Sequence, residues 1–60
     1  MTSYTISTDA LTTTIEAASR DEAARKFAAG ESTYRGCETA ADVSARAEEL
    51  GGWAKIEEAA

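Results

Sequence analysis

Residues 12–30, TTTIEAASRDEAARKFAAG, hold the most decisive local signal in the chain. Thr12-Thr13-Thr14-Ile15-Glu16-Ala17 is rich in β-branched residues and alternates, placing Ile15 and Ala17 on one face of a strand. Two residues later Ser19-Arg20-Asp21-Glu22 matches a capping box. There the Ser19 hydroxyl accepts from the Glu22 amide and the Glu22 carboxylate returns to the Ser19 amide. Asp21 and Glu22 also face the positive end of the helix dipole. Ala23, Ala24, Phe27 and Ala28 then fall on one helical face, with Arg25 and Lys26 outward. Gly30 reads as the C-cap. The stretch predicts a strand followed by a helix over residues 20–29, and so a mixed α and β protein.

Working toward the N-terminus, Tyr4-Thr5-Ile6-Ser7-Thr8 alternates with Tyr4 and Ile6 inward. It reads as the first strand of an antiparallel hairpin turning at Asp9-Ala10, although that turn carries no glycine. Toward the C-terminus, residues 31–38 form a connector containing Tyr34, Gly36 and Cys37. Thr39 is placed to cap a second helix, with Asp42 three residues on. Ala40, Val43, Ala47 and Leu50 recur at helical spacing, and Gly51-Gly52 ends the run. Residues 53–57 alternate as a short last strand. The expected fold is α+β in the order β-β-α-α-β: one small antiparallel sheet with two helices on one face, in a single domain of residues 1–60. Its expected core is Tyr4, Ile6, Ile15, Phe27, Val43, Leu50, Trp53 and Ile56.

The core has little to draw on. Sixty residues bury only about 60% of the surface that the unfolded chain exposes, and fourteen of these residues are alanine. A single cysteine and no histidine leave neither an internal disulfide nor a plausible zinc site. Stability must come from apolar packing, a partner, or a second copy. No opening leader pattern and no run of about 20 apolar residues is present. The lone cysteine fits a reducing compartment, so the cytoplasm is the expected location.

The net charge of −5 is unevenly spread. Residues 1–37 carry five acids against four bases, whereas residues 38–60 carry six acids against Arg46 and Lys55 alone. Such a balance disfavours direct binding to nucleic acid or to anionic membranes, both of which require clustered lysine and arginine. Glu38, Asp42, Glu48, Glu49, Glu57 and Glu58 read either as a solvating surface or as a negative surface offered to a basic protein. Tyr34, in a polar connector, is a candidate aromatic contact beside them.

Catalytic readings find little footing. Glu48-Glu49 and Glu57-Glu58 are sequence neighbours, which diverge by about 100° on a helix and point to opposite faces of a strand. Cys37 stands before a helix with Arg35 close, but has no histidine to act as base and no second cysteine to resolve it. The glycines match no phosphate-binding spacing. No catalytic residue, cofactor site or metal site is assigned.

Ile15-Glu16-Ala17-Ala18-Ser19-Arg20-Asp21-Glu22-Ala23 resembles a unit of very short phage and mobile-element proteins, among them some anti-CRISPR inhibitors. In these a strand steps through small residues into a Ser/Thr-x-x-Glu-Ala helix start. The likeness spans residues 13–29 and carries over no functional residue. It implies a non-enzymatic inhibitor of a nucleic-acid-binding complex. The alternative is a small homodimer that completes its core across a symmetric interface.

Overall fold

The computed structural model describes residues 1–59 and has the expected order. Strands β1 (Thr2–Thr8) and β2 (Thr12–Ala17) form a hairpin, followed by α1 (Arg20–Gly30) and α2 (Ala40–Glu49), and β3 (Ala54–Glu58) completes the sheet. A single 3-10 turn, Ser32–Tyr34, interrupts the connector between the helices. Sheet order is β2-β1-β3, antiparallel throughout, with β1 in the centre.

The hairpin turns without glycine because Thr8 takes over part of the hydrogen bonding. Its amide donates to the Leu11 carbonyl at 2.7 Å. Its hydroxyl accepts from the amides of Ala10 and Leu11, each at 3.1 Å. The Leu11 amide therefore bonds to a side chain where a regular two-residue turn would use the Thr8 carbonyl.

Both helices begin with the same device. Ser19 accepts from the Glu22 amide, and Thr39 from the Asp42 amide, each at 3.1 Å. The returning carboxylates reach one residue further than the capping box predicts. Glu22 bonds the amide of Ala18 at 2.8 Å and Asp42 that of Glu38 at 3.1 Å. Asp21 accepts from the Ala40 amide at 3.0 Å, tying the first turn of α1 to the first turn of α2. The Ala18 bond holds the Glu22 carboxyl below its ordinary value of 4.5, helped by Lys26 and Arg25 against a smaller desolvation cost. The folded protein therefore binds this proton less tightly than the unfolded chain does, so acid favours unfolding. Its contribution is complete above the ordinary carboxylate range and fades as pH falls below about 4.5. The melting temperature should drop across that range, and Glu22→Gln should remove part of the drop.

Gly30 is the last residue of α1, not its cap. Glu31 takes that place and donates its amide to the Ala28 carbonyl. Gly51 does act as a left-handed stop (φ +82°) after α2, where a Cβ would be strained.

Tyr4, Ile6 and Thr8 on β1, Ala17 on β2 and Ile56 on β3 face the helices and are buried. Val43 and Ala47 on α2 and Ala23, Ala24, Phe27 and Ala28 on α1 meet them. Alanine faces let both helices lie close to the sheet. Three expected core residues differ from prediction. Ile15 is only half-buried at the margin. Leu50 is 59% exposed, because it caps α2 beyond the last helical turn, beside the β1–β2 turn. Trp53 is 49% exposed. It has the parity of Lys55 and Glu57, so a strand that sends Ile56 inward sends Trp53 outward. Tyr34 and Cys37, from the connector, fill the core instead.

Candidate functional site

Tyr34 does not stand on the surface. The residue is 7% exposed and its ring lies 5.2 Å from that of Phe27 at an interplanar angle of 50°. Such a tilted aromatic pair stabilises by more than its buried area. The 3-10 turn places it there, and the Tyr34 carbonyl accepts from the Cys37 amide at 3.1 Å. The Tyr34 ring thereby belongs to the core. Cys37 is buried too, which removes its sulfur from easy access.

The six acids do not converge on one patch. Asp42 and Glu49, two helical turns apart, share a flank of α2. They line a shallow hollow of about 260 Å³ with Gly36, Cys37, Ala45 and Arg46. Glu38, exposed just before α2, donates its backbone amide to the Asp42 carboxylate. Arg46 Nε lies 3.6 Å from Glu49, and its guanidinium also donates to the Thr33 carbonyl at 2.9 Å. Glu48 is exposed about 100° around the helix from Glu49. On β3, Glu58 has the helix-side parity of Ile56, while Glu57 points to the opposite face. That opposite face is uncovered. The register aligns Thr14, Thr5 and Glu57 in one row and Thr12, Ser7 and Lys55 in the next, with Trp53 at the end.

A second hollow lies at the end of the molecule where the β1–β2 turn meets the end of α2. It holds about 220 Å³, and its walls include Leu11, Leu50, Asp9, Glu31 and Tyr34. Burial raises the Tyr34 phenol above its ordinary value, and the neighbouring Asp9, Cys37 and Glu31 add to the effect. This notch was not foreseen. Leu11 falls between the two strand patterns, and Leu50 was assigned to the core. Only the residue left over by both patterns, Leu11, could have signalled it.

Among the described residues no cluster of three or more histidine, cysteine or acidic side chains is arranged to hold a metal ion. No described helix is long and apolar enough to cross a membrane. No protein-family profile matches the chain, and no curated protein or solved structure matches it.

Proposed function

We propose that this is a non-enzymatic acidic binding protein that blocks or modulates a protein with a basic surface. An inhibitor of a nucleic-acid-binding complex is the most concrete form. The observation supporting the reading is the charge on the α2 side of the molecule. Glu38, Asp42, Glu48 and Glu49 are all exposed there, and Arg46 is the only cation on the helix. The outward residues of α1, in contrast, mix Arg20, Arg25 and Lys26 with Asp21 and Glu22. A partner meeting the α2 side would encounter a negative field that speeds association and selects a basic surface.

The division of the acids makes the reading testable by face. Tagged protein is passed over nuclease-treated lysate of its native host and washed at rising salt. A basic complex should be held at low salt and shed at high salt. The variant Glu38→Gln, Asp42→Asn, Glu48→Gln, Glu49→Gln keeps the hydrogen-bonding oxygens of both caps and should retain native helicity. It should bind about tenfold more weakly or worse, if each exposed charge contributes a few tenths of a kcal/mol. Glu57→Gln, on the other face, should change affinity less than about twofold. Equal capture by the four-site variant, or no capture by the native protein, would overturn the proposal.

A further inference from the structure

The notch at the β1–β2 turn has features that the acidic flank of α2 lacks. Leu11 and Leu50 supply apolar walls, and both charged residues lining it, Asp9 and Glu31, are acids. Tyr34 stands in its wall, more than nine-tenths buried. The Tyr34 hydroxyl takes part in none of the side-chain hydrogen bonds among the described residues. Yet no side-chain oxygen or nitrogen among them is both sealed from solvent and without a partner. The hydroxyl therefore reaches solvent, on a residue that lines the notch. The floor is held by the turn itself. A Cβ on Gly52 would come within 2.7 Å of the Asp9 carboxylate, so this glycine lets the two turns close on each other.

Apolar walls, two carboxylates and an unused phenol oxygen describe a ligand with a hydrocarbon stem and a cationic head that carries several donors. Arginine has that form. Its methylenes pack on apolar surface while its planar guanidinium presents five N–H donors in a fixed fork. The volume suits one long side chain. We propose that this notch receives an arginine side chain from a protein partner, its stem against Leu11 and Leu50 and its guanidinium directed to Asp9, Glu31 and the Tyr34 hydroxyl. The inference rests on the reading of a basic protein partner and adds a single anchoring residue to it.

The probe is the peptide acetyl-Ala-Arg-Ala-amide, titrated into nitrogen-15-labelled protein and followed by amide chemical shifts. The same peptide with citrulline, which is neutral and isosteric with arginine, is the comparison. Shifts should centre on Leu11, Tyr34, Leu50 and Gly52 and saturate with an affinity on the order of millimolar, as one side chain allows. Citrulline should bind at least about fivefold more weakly, as should arginine to the variant Asp9→Asn, Glu31→Gln. The four-site α2 variant should bind the arginine peptide as the native protein does, which separates this result from failure of the α2 contact. Equal binding of citrulline would overturn the proposal. So would shifts gathered on Asp42 and Glu49, or shifts that follow protein concentration with no peptide added, since these mean diffuse charge attraction or a second copy.

Discussion

Phe27→Ala should abolish cooperative melting, or lower the melting temperature by more than about 12 °C. Truncating a buried phenylalanine to alanine costs about 3–5 kcal/mol, as lost transfer energy plus the cavity left behind. A 60-residue domain has roughly 3–9 kcal/mol in total. Phe27 is the largest side chain that α1 contributes to the core, among neighbours that are mostly alanine. Alanines cannot swing inward to fill the void. The loss also strands Tyr34, whose ring is held by Phe27 at 5.2 Å. Phe27→Leu should recover most of the stability. Thermal denaturation followed by far-ultraviolet circular dichroism reads the outcome. A shift of only a few degrees for Phe27→Ala would mean that α1 does not pack as described.

Ile6→Ala should be nearly as damaging, and more damaging than Trp53→Ala even though tryptophan is much the larger residue. Ile6 is 0% exposed in the central strand, paired with Thr13 on one side and Ile56 on the other. Its truncation costs about 2–5 kcal/mol, and Ile6→Val only about 0.5–1.5 kcal/mol. Trp53 is half in solvent, and substitutions away from a core usually stay within about 0.5 kcal/mol. Urea unfolding of the three variants ranks them directly. If Trp53→Ala proved the costliest, the outward placement of Trp53 would be wrong, and β3 would have to run in the other register.

That ranking bears on what the residues disclosed before the structure did. The capped start of α1, the face of α2 up to Ala47 and the inward parity of Tyr4, Ile6 and Ala17 follow from spacing alone. Each belongs to a periodic run longer than its own uncertainty in register. Leu50 and Trp53 were misplaced because the runs whose spacing includes them stop short of them, α2 at Glu49 and β3 at Ala54. There the chain direction is set by Gly51 and Gly52 and the pattern no longer applies. Tyr34 and Cys37 were obscured for the same reason. A connector of polar residues carries no period, and only the 3-10 turn at Ser32–Tyr34 reveals that it dips into the core. The acids were legible as a count and not as a surface. Parity separates Glu57 from Glu58, but which of them faces α2 depends on how the sheet is covered. The notch is assembled from three connections distant in sequence, beyond the reach of any local pattern.

The place of β1 at the centre of the sheet has a consequence for synthesis. Its hairpin with β2 can form as soon as the first residues are free, but its other edge must wait for β3. Tyr4 pairs with Glu58, so this half of the sheet closes only after Glu58 has left the ribosome. Until then α1 and α2 have an incomplete surface to settle on, and the unpaired edge of β1 is open to other strands. A nascent chain stalled before Ala54 should therefore be readily digested by protease, and resistance should arrive in one step once Ala54–Glu58 have emerged.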